Sequence, residues 1–394
     1  MPTKDKSQTT QALSELESQT PTMSELPLQG ADTVYGAPGG ARRGHIRCLS
    51  MSPGPSSLAA AVPGLTHSDP RSPGITRERS REGFRYRDPS GAQVTQREAL
   101  RRIGALAIPP AWANVWISPD PLGHIQAAGV DGRGRTQYRY HQLWREQRDA
   151  QKFLHMLRFA SVLPALRAAT VQDMARVGLD RDRVAASAVR LIDLGLFRIG
   201  GERYAELDHH YGATTLEKRH VTVTRDGLRF DYLAKEGKRR AITVTDPAVR
   251  PVVRALAHSD NGLDPLFCWQ RAGTWHALRS HDVGEYIAAR AGGHFTAKEF
   301  RTWNATVLMA LLLANAAPAA TARRRSQVIT TSVRGVADWL GDTPAVARAS
   351  YIDPRLISRF LADGQLPGIP RLPVTLPAPA EAETAVAALL AAPA

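Results

Sequence analysis

The sequence predicts an α+β protein, in which a small, mixed, β-rich N-terminal domain precedes a larger, mainly helical domain with a three-stranded β-sheet. Three observations support this prediction. Between residues 83 and 141, short alternating strands are separated by turns that contain proline or glycine. From residue 142 onward, apolar residues recur mostly at helical spacing. Three strand-like segments between residues 220 and 244 interrupt that helical pattern.

The composition favours a partner that carries negative charge. The 394 residues leave room for two domains of ordinary size and for tails, and the formal net charge is +14. Nucleic acid is the first candidate for such a polyanion, and an acidic membrane surface is the second. A basic surface that is merely solvated is the remaining alternative.

Nothing in the sequence predicts export or membrane insertion. Cys48 and Cys268 have neither the spacing of a disulfide framework nor that of a zinc site, which favours a reducing compartment. The N-terminal segment lacks the apolar stretch of a signal peptide. The longest apolar runs, such as residues 307–313, are too short to span a bilayer. We therefore expect a cytoplasmic protein.

Four segments differ in composition and pattern. Residues 1–77 are rich in Ser, Thr, Pro, Gly and Gln and lack apolar periodicity, so we expect a disordered basic extension. Residues 78–150 form the predicted N-terminal domain, and residues 151–365 form the predicted helical domain. Residues 366–394 are a tail rich in proline and alanine, to which no site is assigned.

Within the N-terminal domain, the alternating residues 83–88 predict the first strand. Helical spacing predicts a helix over residues 95–107, which a Pro-Pro pair ends. Residues 115–117 and 124–127 are predicted to be short strands on either side of a turn.

Cationic, amide and aromatic side chains alternate in residues 131–141, on a predicted turn and strand. Arginine can bind a phosphate or a guanine edge with two hydrogen bonds, glutamine can bind a base edge, and tyrosine can donate to a phosphate. A solvated edge strand would produce the same pattern without a ligand. Given the overall charge, we predict that this segment contacts duplex DNA through Arg133, Arg135, Gln137, Tyr138 and Tyr140.

Helical patterns account for most of the second domain. A charged helix is predicted over residues 142–169, and a second helix runs to Leu196 with Asp182 as its N-cap. Further helices are predicted at residues 246–257, 281–291, 304–316 and 334–340.

Two arginines stand beside apolar helices, where we expect them to be partly buried. Arg198 lies between the second predicted helix and the pair Gly200-Gly201, and Arg301 precedes the apolar helix at residues 304–316. A buried guanidinium needs an anionic partner. That partner is either a carboxylate of the protein or an external anion such as phosphate.

Lys235 lies at the tip of a predicted hairpin between strands at residues 228–232 and 240–244. A lysine at such a tip is normally a solvated charge. It gains a functional interpretation only if the hairpin reaches into the groove of a ligand.

A metal site is one possible interpretation of the run Asp208, His209 and His210. Adjacent residues do not share a helix face or a strand side, and no further ligands follow at the spacing of a metal site. We therefore predict a polar loop here and no metal site.

The most informative segment is residues 340–354. A Leu-Gly turn closes one helix there, Asp342 follows the glycine, and Tyr351 follows a short Ala-rich helical run. An isolated tyrosine in such a place would be interpreted as a packing residue. The interpretation changes because of the ordered basic residues upstream, which are Arg198, Lys235, Lys298 and Arg301.

This ordered series resembles that of the type IB DNA topoisomerases, in particular their small poxvirus-like bacterial branch. The resemblance covers roughly residues 80–365. It includes residues 108–112 (Ile-Pro-Pro-Ala-Trp), 123–127 (Gly-His-Ile-Gln-Ala), 134–141 and the tyrosine segment. It implies the catalytic fold that tyrosine recombinases and type IB topoisomerases share.

The resemblance implies that Tyr351 attacks a DNA phosphate and forms a 3′-phosphotyrosyl bond, while Arg198 and Arg301 stabilise charge on the phosphate oxygens. Lys235, assisted by Arg198, is the implied proton donor to the leaving 5′ oxygen, and Lys298 is an implied DNA contact. Swivelling of the free 5′ end and resealing of the strand would then relax positive and negative supercoils. Bond energy is conserved, so no ATP or metal cofactor is implied, and the sequence lacks a Gly-x-x-x-x-Gly-Lys-Ser/Thr phosphate loop.

The resemblance also implies the partners. We expect a monomer that clamps double-stranded DNA, with no obligate protein partner and no membrane contact. Such a protein would be associated with the nucleoid in the cytoplasm.

The sequence departs from the family pattern at two positions. Relatives carry His or Asn in place of Asp342, and that side chain hydrogen-bonds a non-bridging phosphate oxygen. An ionised carboxylate cannot donate and repels phosphate, so Asp342 is protonated in the complex, or is neutralised by neighbouring arginines, or the enzyme is slow. Thr136 stands where relatives commonly carry Lys or Arg, which puts one DNA contact in question.

Two other interpretations follow from the same residues. A tyrosine recombinase shares the Arg, Lys, Arg and Tyr series, but it usually carries His in place of Lys298 and has an all-helical domain before the catalytic one. A catalytically weakened or inactive DNA-binding homologue is suggested by Asp342. A covalent DNA adduct distinguishes both enzymes from the inactive homologue, and site-dependent strand exchange distinguishes a recombinase from a topoisomerase.

Overall fold

The protein is described here by a computed structural model, in which residues 62–392 are defined except for Glu82 and Leu196. Most of the predicted extension, including Cys48, lies outside the described residues. Leu196, the predicted end of the second helix, lies outside them as well.

The N-terminal part is a five-stranded antiparallel sheet with the strand order β2-β1-β3-β4-β5. One helix, α1 (Arg97–Ala105), connects β2 to β3. The strands are β1 (Ile75–Ser80), β2 (Gly83–Arg87), β3 (Ala113–Ile117), β4 (Ile125–Val130) and β5 (Thr136–Tyr140).

A small core of its own supports this sheet. The buried apolar side chains come from three strands, from α1 and from the loop before it: Ile75, Val94, Ile103, Val115, Ile117 and Ala127. The predicted domain boundary at residue 77 falls inside β1. Ile75 is the one buried residue of that strand, and the rest is polar or charged, so no apolar alternation marks the strand in the sequence.

The second part is mainly helical and holds the larger core. Its helices are α2 (Gln142–Met174), α3 (Arg181–Gly195), α4 (Glu202–Asp208), α5 (Val249–Ala257), α6 (Ser280–Ala291), α7 (Ala297–Asn315), α8 (Ala322–Leu340), α9 (Pro344–Ser350), α10 (Pro354–Asp363) and α11 (Ala380–Ala391). None of the described helices combines the length and the apolarity that crossing a bilayer requires.

Two small antiparallel sheets interrupt the helices. The three-stranded sheet has the order β6-β7-β8, and a separate hairpin pairs β9 with β10. The strands are β6 (Val221–Val223), β7 (Leu228–Leu233), β8 (Arg239–Val244), β9 (Cys268–Arg271) and β10 (Thr274–Ala277). The predicted α+β class, with strands first and then a helical part that contains a three-stranded sheet, is confirmed.

The predicted N-cap of α3 is wrong. The carboxylate that accepts a hydrogen bond from the backbone N–H of Arg183 belongs to Asp180, at 3.0 Å. Asp182 lies in the first turn of α3 and accepts from Arg290 at 3.0 Å. Both aspartates precede the apolar run, and the sequence pattern alone does not distinguish them.

Helix α7 begins at Ala297, several residues before the apolar run from which it was predicted. Thr296 caps it: the Thr296 side chain accepts from the Lys298 N–H, and Glu299 accepts from the Thr296 N–H. Arg301 therefore lies inside the helix, one turn after its start, on a side that the core covers.

The C-terminal segment contributes a packed helix, α11. Glu383 on its buried side accepts hydrogen bonds from Arg167 of α2 at 2.7 Å and from Trp303 of α7 at 3.2 Å. The same arginine donates to Asp193 of α3 at 2.7 Å. The Arg167 guanidinium thus connects α2, α3 and α11. Trp303, which binds the same glutamate, lies two residues after Arg301 in α7.

Candidate active site

Four predicted site residues from distant parts of the chain meet in one place. Arg198 follows α3, Arg301 lies in α7, Asp342 follows α8, and Tyr351 ends α9. An Arg198 guanidinium nitrogen lies 2.6 Å from the Asp342 carboxylate and another lies 3.4 Å from the Tyr351 hydroxyl. The structure thus brings these four side chains together.

The turn before α9 sets the positions of Asp342 and Tyr351. Gly341 has a φ of +66°, a left-handed conformation that ends α8 and favours glycine. The Asp342 N–H donates back to the Ala337 carbonyl at 3.0 Å. Thr343 caps α9, and Pro344 occupies its first turn, as the sequence predicts. Because α9 is short, Tyr351 is held close to the turn that carries Asp342.

The Asp342 carboxylate bridges the two arginines. Its Oδ1 accepts from Arg198 at 2.6 Å, and its Oδ2 accepts from Arg301 at 2.9 Å. The sequence left open whether a protein carboxylate or an external anion pairs with these arginines. In the structure the partner is Asp342, so two positive charges are neutralised in part from within the protein.

Arg301 is fixed more firmly than Arg198. Its side chain is 4% exposed, whereas that of Arg198 is 28% exposed. Arg301 also donates to the Leu340 carbonyl at 3.0 Å, and its guanidinium carbon lies 5.1 Å from the centre of the Tyr351 ring. We expect Arg301 to be a preorganised donor, since its packing leaves little freedom to move.

The surroundings of Tyr351 favour its ionised form. Burial acts to raise the pKa of the Tyr351 hydroxyl. The positive charges of Arg301 and Arg198, together with a hydrogen bond from Arg301, outweigh this effect, so that the pKa lies below its usual value. The Asp342 carboxylate acts in the opposite direction. A lowered pKa is what a tyrosine nucleophile requires.

A second buried tyrosine, Tyr232, lies near the same arginines, but its pKa is shifted upward. Burial raises the pKa of Tyr232 to about 12, although the charges of Arg240, Arg301 and Arg198 oppose the shift. Tyr232 therefore keeps its proton across the range in which proteins act. The two tyrosines differ in the balance between burial and positive charge, which favours Tyr351 over Tyr232 as the candidate nucleophile.

Lys235 stands apart from this group. It lies in a short turn, Lys235–Gly237, at the tip of the β7–β8 hairpin, and its side chain is 62% exposed. Within the described part of the chain its only ion pair is with Glu236, at 3.8 Å. The predicted hairpin position is confirmed.

Thr306 was not predicted and supports the segment that carries Tyr351. Its hydroxyl donates to the Tyr351 carbonyl at 3.1 Å and accepts from the Asp353 N–H at 3.2 Å. The side chain is fully buried in α7. A hydroxyl side chain at the start of the apolar run of this helix was the available signal, but nothing in the sequence showed what it contacts.

The predicted DNA-contacting residues lie on the β4–β5 turn and on β5. Asp131 organises the turn by accepting from Arg135 at 2.9 Å and from Gln137 at 2.9 Å. Hydrogen bonds from the Arg135 side chain and from backbone N–H groups lower the pKa of Asp131 to about 2. Arg133 is exposed, and one of its nitrogens lies 3.4 Å from the Asp208 carboxylate.

The aromatic residues of β5 and the lysine of α7 complete the predicted contacts. Tyr138 and Tyr140 are half-buried, with ring centres 6.0 Å apart. Lys298 lies exposed in the first turn of α7, one helical turn before Arg301. The side chain of Lys298 and those of Arg133 and Arg135 are open to solvent.

The predicted polar loop after α4 contains no arrangement suited to a metal ion. His209 has a left-handed φ of +52° and ends the helix. Among the described residues, no three His, Cys, Asp or Glu side chains are placed to hold a metal. Asp208 pairs instead with Arg133.

Comparison with known proteins agrees with this geometry. A family model for the catalytic core of eukaryotic DNA topoisomerase I matches residues 141–356, a range that holds all four converging residues. A second family model, for the N-terminal domain of bacterial DNA topoisomerase IB, matches residues 83–131. The DNA topoisomerase 1B of Acanthamoeba polyphaga mimivirus is 29% identical over 287 residues, which are 71% of this chain and 85% of the viral protein. The chain therefore belongs to the type IB DNA topoisomerases, isomerases that act on DNA.

Proposed function

We propose that this protein relaxes positive and negative DNA supercoils by cleaving one strand through a transient 3′-phosphotyrosyl bond to Tyr351, without ATP. The observation that carries the proposal is the position of the Tyr351 hydroxyl, 3.4 Å from Arg198 and hydrogen-bonded by Arg301. A nucleophile with a lowered pKa thus lies between two cations that a phosphate needs.

The reaction exchanges one phosphate ester for another. The Tyr351 hydroxyl loses its proton to water, and the phenolate oxygen attacks the phosphorus. The bond from phosphorus to the 5′ oxygen breaks, and that oxygen takes up a proton. The reverse attack by the 5′ hydroxyl reseals the strand after it has turned about its partner. Because each step replaces one phosphodiester by another, no nucleotide hydrolysis is needed to drive it.

Arg198 and Arg301 supply the positive donors for the charge that develops on the phosphate. Both already hold an anion, the Asp342 carboxylate, at 2.6 and 2.9 Å, distances typical of charge-assisted hydrogen bonds. The proposed phosphate would use these same donors with two of its non-bridging oxygens. Removing one such donor typically costs a factor of about a hundred or more in rate.

Lys235 is the proposed proton donor for the 5′ oxygen, with Arg198 assisting. Its exposure at the hairpin tip leaves its ammonium group available to a bound duplex. We propose that the tip enters a groove of the DNA and brings Lys235 to the leaving oxygen.

We propose further that the protein clamps double-stranded DNA as a monomer, without an obligate protein partner, in the nucleoid of the cytoplasm. The contacts proposed outside the reacting group are Arg133, Arg135, Gln137, Tyr138, Tyr140 and Lys298. The exposure of the three cationic members and the net charge of +14 support this set. We propose that the residues before β1 form a basic extension that precedes the N-terminal domain. The C-terminal segment is not proposed as a separate tail, because α11 packs against α2 and α7.

Relaxation of supercoiled plasmid tests the function. Negatively and positively supercoiled plasmids are each incubated with the wild-type chain and with Tyr351→Phe, in EDTA and without ATP. We expect the wild type to relax both plasmids and the variant to relax neither while still binding DNA. Equal relaxation by the two proteins would refute the proposal.

A second candidate function follows from the bridge between Asp342 and the two arginines. If the phosphate does not displace this carboxylate, the protein binds DNA without cleaving it. Binding without relaxation by the wild type, together with relaxation by Asp342→Asn, would favour this alternative.

A further inference from the structure

Arg240 connects the hairpin that carries Lys235 with the segment that carries Asp342. It lies on β8, directly opposite Tyr232 of β7 in the strand register. One guanidinium nitrogen donates to the Asp338 carbonyl at 3.1 Å, and the other donates to the Trp339 carbonyl at 2.8 Å. These carbonyls lie in the last turn of α8, where helical hydrogen bonding leaves acceptor capacity, although the Asp338 carbonyl also accepts from the Gly341 N–H at 3.2 Å.

The same side chain lies against Gly341. A Cβ atom added to Gly341 would lie 2.8 Å from Arg240 Cδ and 2.9 Å from one of its guanidinium nitrogens. A side chain here would displace the flexible end of Arg240 from its place beside α8, and the positive φ of Gly341 favours glycine in its own right. Asp342, the next residue, holds Arg198 and Arg301.

The hairpin has few other attachments near its tip. The Leu233 carbonyl, at the end of β7, accepts from the Tyr211 N–H at 2.8 Å. Beyond this point the turn that carries Lys235 is exposed, and its ion pair is with the adjacent Glu236. On the β8 side, the attachment to α8 is made by Arg240.

By contrast, the end of α8 has a second support. Arg301, which is buried, donates to the Leu340 carbonyl at 3.0 Å. The loss of Arg240 would therefore leave α8 anchored and would release mainly the hairpin.

We propose that Arg240 is a positioning residue, which holds the Lys235 hairpin at a fixed place relative to Asp342 and the two arginines. The inference rests on the proposed function, in which Lys235 protonates the leaving oxygen. Misplacing a catalytic group by about 1 Å can cost a factor of about a hundred in rate. An exposed lysine at a hairpin tip needs such an anchor if its proton is to reach one particular oxygen.

The test separates proton donation from the other steps. Single-turnover cleavage at saturating DNA is measured for the wild type, Arg240→Ala and Arg240→Lys. Two synthetic duplexes are used, one with the ordinary scissile phosphate and one with sulfur in place of the bridging 5′ oxygen. A thiol has a pKa of about 8.5 and leaves as the thiolate, so the sulfur substrate needs no proton donor.

Arg250→Ala is the matched control. Arg250 also donates to a backbone carbonyl, that of Thr224 at 2.7 Å. Thr224 adjoins the β6–β7 turn, at the end of the same sheet opposite to the Lys235 hairpin. The control removes an arginine–carbonyl contact and one positive charge without touching the connection between hairpin and α8.

We expect Arg240→Ala to slow cleavage of the ordinary duplex by about 10- to 100-fold and to cleave the sulfur duplex within about threefold of the wild-type rate. Arg240→Lys should recover part of the loss, since one ammonium group can reach one of the two carbonyls. Arg250→Ala should match the wild type on both duplexes. The ratio of the two rates within one variant is independent of how much of that protein is folded.

Two results would overturn the inference while leaving the proposed function intact. One is an Arg240→Ala protein that cleaves the ordinary duplex as fast as the Arg250→Ala protein. The other is an equal loss of rate on both duplexes, which would show that Arg240 acts through the arginines or through the fold. A wild-type protein that cleaves neither duplex would overturn the proposed function itself.

Discussion

The Asp342 carboxylate lies 2.6 Å from a guanidinium nitrogen of Arg198, within the group of cations that the proposed reaction offers to a DNA phosphate. The second oxygen of the same carboxylate is bound by Arg301. In the absence of DNA, the site thus holds an anion of its own. The scissile phosphate must displace this anion or share its donors, and either event costs free energy.

Asp342→Asn should therefore cleave DNA faster than the wild type. The amide keeps an acceptor for one arginine, gains a donor for a phosphate oxygen and removes the repulsion. We expect a rate increase of about tenfold or more, which corresponds to about 1.4 kcal/mol. Single-turnover cleavage at saturating DNA measures it. Asp338→Asn, an exposed aspartate in the last turn of α8, controls for the loss of one negative charge. An Asp342→Asn rate equal to or below that of the wild type would remove the hypothesis.

The same substitution should make the protein less stable. Arg301 is buried, and an amide replaces a charged partner that accepted hydrogen bonds from two guanidinium groups. Weakening a buried hydrogen bond of this kind typically costs about 1–3 kcal/mol. Urea denaturation of Asp342→Asn and Asp338→Asn should show a lower free energy of unfolding for the first alone. Equal stability of the two proteins would show that the bridge contributes nothing to the fold.

Arg301→Lys and Arg198→Lys should differ in stability but not in catalysis. Both should lose about a hundredfold or more in cleavage rate, because an ammonium group does not reproduce the two-nitrogen donor geometry. Arg301→Lys should also unfold at a lower urea concentration, since its side chain is 4% exposed and that of Arg198 is 28% exposed. If the two substitutions lower the denaturation midpoint of the wild type by the same amount, this distinction is wrong.

The pH dependence of cleavage should reflect the lowered pKa of Tyr351. The phenolate is the attacking form, so the rate rises with pH and levels off above the pKa of Tyr351, which lies below its usual value of about 10. Asp342→Asn removes a charge that raises this pKa and should shift the profile to lower pH. Arg198→Ala removes a charge that lowers it and should shift the profile to higher pH. The rates are measured on the sulfur-substituted duplex. Because that substrate needs no proton donor, its pH profile does not include the titration of the donor. Shifts in the opposite directions would contradict the assignment of Tyr351.

Glu383→Ala should destabilise the protein by about 1–3 kcal/mol, because the indole N–H of Trp303 loses this acceptor and Arg167 keeps only its pair with Asp193. Glu381→Ala, on the exposed side of the same helix, should change the free energy of unfolding by less than about 0.5 kcal/mol. Urea denaturation followed by tryptophan fluorescence compares the two. If both variants unfold at the same urea concentration, α11 does not stabilise the domain.

The sequence was most informative where a motif determines its own local structure. Gly341 and Pro344 define a helix end and a helix start, so the turn that holds Asp342 was predictable. The alternation around Lys235 defined a hairpin in the same way. Arg198 and Arg301 could be assigned partial burial, but their shared partner could not be assigned, because it comes from a segment far along the chain.

The remaining features depend on contacts between distant segments. Nothing in the sequence distinguishes Arg240 from other arginines on strands. Its role depends on the packing of β8 against the end of α8. The contact between Arg167 and Glu383 joins residues 216 positions apart, and the Ala-rich α11 has no strongly amphipathic pattern to mark its buried side. The strand β1 was missed because all of its side chains except that of Ile75 are polar or charged. Tertiary packing determines each of these features, and local secondary-structure propensity does not predict them.

The most direct test of the central claim is to trap the covalent intermediate. A duplex labelled on the scissile strand, 5′ of the cleavage site, is incubated with the wild type, Tyr351→Phe and, as a control for the other buried tyrosine, Tyr232→Phe. The reaction is stopped with denaturant and the label is followed on the protein. We predict that the label remains bound to the wild type and to Tyr232→Phe through a 3′ phosphate, and that Tyr351→Phe carries none. A labelled Tyr351→Phe protein, or a bond to the 5′ end of the broken strand, would contradict the assignment of Tyr351 and the reaction built on it.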